Sequence, residues 1–252
     1  MLTASVKVLK NAFLDALYPP KCAACGEFIP EAPPSPLPKF LCPDCLMDYT
    51  PAASPLCLKC GMPFVSPEGP DHLCGGCLEK KSRFNKARAA GVYDGPLRTA
   101  IHRLKYNQKT ALAAPMGGML EQAYLNHYGA GSADLAVPVP LHAKRLRQRG
   151  FNQALVLVKH WGRKNGQFPP VEAGALARVR WTQTQAGLKA KERAKNIRGA
   201  FAVVRPDLVR GKNVLLVDDV FTTGATANEC AKALLKAGAK KVDVLTLAVV
   251  VR

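Results

Sequence analysis

The sequence predicts an α/β protein: a mainly parallel sheet with helices on both faces, preceded by a small cysteine-rich module. Three observations lead there. Eight of the nine cysteines fall between residues 22 and 77, as four Cys-x-x-Cys pairs. From about residue 96 onward, helical and strand-like stretches alternate, the pattern of a parallel sheet with helical crossovers. The aliphatic run Val214 to Val217 reads as a strand covered on both faces, and it ends in Asp218-Asp219 and a turn of small residues.

A chain of 252 residues accommodates one domain with a full core plus a smaller unit. The expected division is 1–80 and 81–252. The longest apolar runs, such as Leu245 to Val251, fall short of the roughly 20 residues that cross a bilayer. Met1 to Pro20 is interrupted by Lys7, Lys10 and Asp15 and lacks a clean signal-peptide core. The expectation is a soluble, cytoplasmic protein without membrane insertion. Residues 1–80 hold 6 Lys/Arg and 8 Asp/Glu; residues 81–252 hold 30 and 10, so the whole excess behind the net +18 lies in the second part. That balance favours an anionic partner, either nucleic acid or a phosphorylated small molecule, against the plain alternative of a solvated basic surface.

The cysteine pairs are Cys22/Cys25, Cys42/Cys45, Cys57/Cys60 and Cys74/Cys77. Disulfides would need an oxidising compartment and give no reason for four equal spacings. Two intervening residues let both thiolates of one turn reach a single tetrahedral ion, which points to structural Zn²⁺, two ions in all. Sequential sites (22/25/42/45 and 57/60/74/77) are the simplest assignment, and an interleaved one stays open. Four thiolates close such a site and leave no position for catalysis. His72 is a neighbour on the ligand loop rather than a ligand, and Cys230 reads as a small buried residue of a helix.

The remaining elements follow in order. Residues 5–17 have helical spacing and end at Pro19-Pro20, consistent with a docking helix. "IPEAPPSPLP" (29–38) holds five prolines and is a loop. The cysteine knuckles have little core of their own, so their folding should depend on metal. A basic connector covers Glu79 to Ala90. Helices are expected at about 96–106 and 114–127, a strand over "ADLAVPVP" (133–140), and a helix at about 150–164. Strands follow at 174–180, 199–204 and 213–218, then a helix at 225–237 and a last strand at 241–251.

Ligands of open α/β sheets bind off the carboxyl ends of central strands, where Asp218 and Asp219 stand. The following Thr222, Thr223, Gly224, Ala225 and Thr226 open a helix, offering backbone N–H groups and three hydroxyls as an anion cradle. Two carboxylates before a phosphate nest suit a ligand with vicinal hydroxyls and a phosphate, a ribose 5-phosphate. A Walker-B strand would need a Gly-x-x-x-x-Gly-Lys-Ser/Thr partner, which the chain lacks. An aspartic-protease triplet would need Asp-Thr-Gly, and a structural turn needs no paired acids.

This stretch resembles the ribose-phosphate motif of type I phosphoribosyltransferases, with Phe221 bulkier than the usual aliphatic at its slot. The resemblance implies that Asp218 and Asp219 bind the ribose hydroxyls of phosphoribosyl pyrophosphate (PRPP), serve catalysis, and that residues 222–226 bind its 5-phosphate with Mg²⁺ bridging pyrophosphate and ribose. In order along the chain, the cysteine pairs, "LRTAIHRLKY", "VPVPLHAKRLRQRGFNQA", "TQTQAGLKAKERAKNIRGAF" and the PRPP motif together resemble the ComF family of competence-associated proteins, also described as amidophosphoribosyltransferases. Membership implies a link to DNA uptake in natural transformation, with single-stranded DNA and a helicase-like competence protein as partners.

Further candidates surround that motif. Pro140, Leu141, His142 and Arg149 fall where the superfamily binds pyrophosphate, with Arg145 and Arg147 between them. "WTQTQAGLKAKERAKN" falls where it carries a flexible closing loop, making Lys189, Lys191, Arg193 and Lys195 candidate clamps. Lys105-Tyr106 closes a helix and serves either as its cap or in the site. Two functions result: a transferase in which an amine or base attacks C1 of PRPP as pyrophosphate leaves, or a non-catalytic accessory factor that binds single-stranded nucleic acid. The acceptor is not written in the sequence; residues 82–112 or the zinc module are the candidate hood that selects it.

Overall fold

The computed structural model describes residues 19–29, 38, 40–66, 68–106, 109–161, 166–182 and 190–251. The predicted helix at 5–17, most of the proline-rich loop and Lys189 lie outside them. Four parallel strands form the main sheet in the order β1 (Ala87–Val92), β6 (Lys241–Val249), β5 (Asn213–Phe221), β2 (Leu135–Pro138). Val214 to Val217 sit at its centre, 0–1% exposed, because apolar layers cover both faces.

On one face, helices Gly95–Tyr106, Ala113–His127 and Gln153–Val158 press Leu97, Ile101, Leu104, Met116, Leu120 and Leu157 against Leu215, Val217, Leu245 and Leu247. Tyr124, Trp161 and Phe168 pack as a mutual aromatic triangle beneath them, centroids 5.1–5.7 Å apart. On the other face, helix Ala225–Lys236 lays Cys230, Ala231 and Leu234 over Val214, Leu216, Val242 and Val244.

Several expectations need correction. The connector drawn through Ala90 ends earlier, since β1 starts at Ala87. "ARAAGV" has only one of the β-branched residues that mark strands, Val92, and small residues are needed because another segment lies against it. The segment at 174–180 is a strand only over Leu176–Arg178 (β3), and it pairs antiparallel with β4 (Phe201–Val203) in a separate two-stranded sheet. The helix expected at 150–164 is Gln153–Val158, and a further helix, Ala143–Arg149, precedes it where none was expected. Gly150, at φ 82°, ends Ala143–Arg149 in the left-handed region, and the Asn152 side chain caps Gln153–Val158 by accepting the Ala154 N–H. β5 runs through the aspartates to Phe221 instead of ending at residue 218.

The cysteine module borrows its core. Cys22, Ala23, Ile29, Phe40 and Leu41 join the same apolar cluster as Leu97, Ile101 and Leu104. It also lines the free edge of β1: the Val92 N–H donates to Thr50, Ala52 to Ala90, and Ala87 to Lys59. Two glycines permit the approach. A Cβ on Gly61 would sit 2.4 Å from the Ala87 carbonyl oxygen, and one on Gly91 would sit 2.8 Å from the Tyr49 ring.

Candidate functional site

The eight paired cysteines gather into two clusters, Cys22/Cys25/Cys42/Cys45 and Cys57/Cys60/Cys74/Cys77, with the sulfurs of each within 4.8 Å of one another. Cys25 and Cys42 sulfurs are 3.6 Å apart, and Cys60 and Cys74 sulfurs 3.7 Å. A tetrahedral site with Zn–S bonds of about 2.3 Å requires sulfurs about 3.8 Å apart, so both clusters fit zinc. Burial pushes the Cys22 and Cys57 thiols up, but backbone N–H donors, from Ala24 and Cys74 among others, outweigh it and hold each at about 6. Cys45 and Cys60 are raised by burial and by neighbouring sulfur charge, so four thiolates coexist only around a cation. His72 takes no part; its ring stacks on Phe64 at 3.8 Å.

Strand alternation separates the two aspartates. Asp219 turns toward helix Gly95–Tyr106, where Lys105 meets it in an ion pair; the side chains are 17% and 6% exposed for Lys105 and Asp219. Burial would lift the Asp219 carboxyl, and the ammonium outweighs it, so the group is held below the ordinary carboxylate range. For Lys105, burial would lower its affinity for a proton, and Asp219 reverses this. Asp218 turns the other way, into a small hollow shared with Thr222, Gly224, Thr226 and Thr246. Burial first, and the Asp219 charge second, push its carboxyl well above the ordinary range. The Lys105 charge opposes this rise without overcoming it.

The turn beyond it opens a helix. Gly224, at φ 73°, caps helix Ala225–Lys236, and a Cβ there would meet the Phe221 ring at 2.7 Å. The Thr223 hydroxyl accepts the Ala225 N–H at 3.3 Å. The structure brings Asp218, Thr222, Gly224 and Thr226 together around one hollow, while Thr223 and Ala225 face the opposite side of the turn.

Pro140 and Leu141 follow β2, next to β5, and His142 caps helix Ala143–Arg149, its Nδ1 accepting the Lys144 N–H at 3.2 Å. Arg149 donates to the Gln153 side-chain carbonyl at 2.7 Å and lies 5.4 Å from the Tyr106 ring, which places it beside the helix that carries Lys105. Lys191 and Arg193 fall in helix Ala190–Ile197, with their side chains outside the description. Cys230 is fully buried, its thiol raised by burial.

Two residues escaped the sequence reading. Arg178 on β3 donates to the Thr182 hydroxyl and covers the Phe201 ring at 5.5 Å. Burial and the nearby Arg145 lower its hold on its proton, and Asp218 opposes that, so Arg178 lies within electrostatic reach of Asp218. Trp181, 39% exposed, takes Arg145 on its ring at 5.4 Å and Lys144 at 5.9 Å. The alternating basic residues of "RVRW" were the available signal.

Residues 13–78 match a family model described as a double zinc ribbon domain, and residues 172–251 match one described as a phosphoribosyl transferase domain. A Salmonella typhimurium protein named DNA utilization protein YhgH is 35% identical over 198 residues, 76% of this chain and 83% of its own. Competence protein F of Haemophilus influenzae is 34% identical over 179 residues, covering 69% of this chain and 77% of its own. The chain belongs to the ComF family. A more distant ComF-type relative, Competence protein ComFC of Bacillus subtilis, is 24% identical over 204 residues, 79% of each chain. A glutamine PRPP amidotransferase structure from B. subtilis aligns with 51% of this ComF chain and 24% of its own at 25% identity, with a TM-score of 0.32. The ComF protein thus carries a zinc ribbon with two four-cysteine sites and a phosphoribosyltransferase domain; among the described residues no helix is long and apolar enough to cross a membrane.

Proposed function

We propose that this protein binds PRPP with Mg²⁺ in the cytoplasm and serves DNA uptake in natural transformation, with residues 1–80 as its zinc module and 81–252 as its PRPP-binding unit. The observation behind this reading is the pairing of Asp218 with the Thr222–Thr226 turn around one hollow. Asp218, and Asp219 held ionised by Lys105, receive the ribose hydroxyls; the turn receives the 5-phosphate. The donor set suits Mg²⁺ as well, since the Asp218 carboxyl and the Thr222 and Thr226 hydroxyls line one hollow with the oxygen ligands that this ion takes. When bound, Mg²⁺ neutralises the pyrophosphate and so eases its departure. Pro140, Leu141, His142 and Arg149 flank that pyrophosphate, Arg178 adds charge, and Lys191 and Arg193 belong to helix Ala190–Ile197, while Lys189 lies outside the described residues. Attack on C1 by an amine or base builds positive charge on the ribose, which the aspartates stabilise without a covalent nucleophile. Calorimetry with PRPP and Mg²⁺ tests this: binding is expected in the native chain and lost in Asp218→Asn, and no heat of binding in the native chain would end the proposal.

A second reading, a non-catalytic binder of single-stranded DNA working with a helicase-like competence protein, is favoured by Trp181 and its cations. An exposed aromatic flanked by Lys144 and Arg145 offers stacking beside phosphate contacts. Oligo-dT should quench its fluorescence with affinity falling steeply as salt rises; a flat response counts against it.

A further inference from the structure

A cavity of about 410 Å³ lies between the second cysteine cluster and the back of the Thr222–Ala225 turn. It is not the Asp218 hollow. In the sheet order, β2 and the Pro140–His142 segment lie on one side of β5, whereas the cavity opens on the other, beyond the ends of β6 at Val249 and Val250. Asp218 does not line it.

Its walls combine three chemistries. Phe84 and Phe221 meet edge to face at 5.8 Å and, with Met62, form an apolar slot. Lys80 and Lys81 stand at its border, and the Lys59 ammonium lies 5.9 Å from the Phe84 ring, so the surroundings are cationic. The Ser82 hydroxyl is buried there with no hydrogen-bond partner in the structure, a group that ordinarily finds one. Ligand sites span about 300–1,000 Å³, which makes this one suitable for a single mononucleotide rather than anything longer. A bare sugar phosphate would leave the aromatic slot empty, and an uncharged hydrocarbon would leave the lysines and the hydroxyl without partners.

We propose that this cavity binds a free nucleoside monophosphate, its base in the Phe84–Met62 slot with an edge on the Ser82 hydroxyl and its phosphate toward Lys80 and Lys81. Thr222 and Gly224 border both this cavity and the Asp218 hollow. A nucleotide bound here therefore couples to the ligand on the Asp218 side, and the coupling is reciprocal; this second part rests on the PRPP reading, and the binding itself does not.

The test is calorimetry on the zinc-loaded full chain, with AMP as probe and ribose 5-phosphate as the control without a base. AMP should bind the native chain and Asp218→Asn alike. Ser82→Ala should weaken it by about 3- to 10-fold, the worth of one hydrogen bond. Lys80→Ala/Lys81→Ala should weaken it and flatten its salt dependence, and Met62→Trp, which fills the slot, should abolish it. Should Met62→Trp fail to fold, as read from zinc content and melting temperature, the two polar variants decide. The proposal is overturned if AMP does not bind at millimolar concentration, if ribose 5-phosphate binds the Asp218→Asn variant as well as AMP does, or if Asp218→Asn abolishes AMP binding while the cavity variants leave it intact. AMP binding without PRPP binding would end the function proposed above and leave this site standing; the converse would do the reverse.

Discussion

Lys105→Met removes the ammonium that meets Asp219 on the buried face of β5. With side chains 17% and 6% exposed, water replaces little of the lost attraction. An ionised partner left buried costs about 3–5 kcal/mol. At about 2–4 °C per kcal/mol for a chain of this size, the melting temperature falls by roughly 6–20 °C at pH 8. The pH dependence carries a sign. In the native protein the folded pKa of Asp219 lies below the unfolded value of about 3.9, so its contribution is complete above that value and is lost as pH falls through the lower folded one. In the variant, burial acts alone and raises the folded pKa, so stability declines as pH rises through the carboxylate range. Thermal unfolding followed by circular dichroism at pH 4.5 and pH 8 should show a gap between the two proteins that widens with pH. Lys105→Met/Asp219→Asn should recover most of the loss. A gap of the same size at both pH values, or none at pH 8, would refute the reasoning.

Asp218→Asn should behave in the opposite way: its folded pKa is raised, so ionisation costs stability above the ordinary carboxylate range, and the variant should melt higher than the native chain at pH 8 yet match it near pH 4. The same substitution should abolish PRPP binding, a site residue traded against stability. Metal analysis should return two zinc ions per chain; Cys57→Ser should return one, and chelation should lower the melting temperature by uncovering the β1 edge. Gly61→Ala places a Cβ 2.4 Å from the Ala87 carbonyl at a φ of +67°, so the module should detach from the sheet and limited proteolysis should cut near residue 80 within minutes rather than hours.

Features set by neighbours in the chain were legible. Cys-x-x-Cys spacing foretold paired thiols, an unbroken aliphatic run foretold a central strand, and Gly224 before a helical pattern foretold a turn. β1 was missed because its alanines carry no strand signature and were selected by the close approach of Tyr49 at Gly91. β3 was placed in the main sheet because strand pattern is indifferent to which partner supplies the hydrogen bonds. The turn at "RGFNQA" was legible, but the helix Ala143–Arg149 before it was not, because its run of basic residues carries no apolar period. Arg178 and Trp181 lay in plain view, and their meaning came from proximity to Arg145.

By itself the sequence determined the four-cysteine chemistry, the strand that bears the aspartates and the glycine turn that follows them, because each depends on residues within a few positions of one another. Tertiary structure alone decided that Asp219 is paired with Lys105, 114 positions away, while Asp218 faces the hollow, and that the zinc module extends the sheet edge to enclose a cavity. Those are matters of which surfaces meet, and contact between distant segments is set by packing rather than by spacing along the chain.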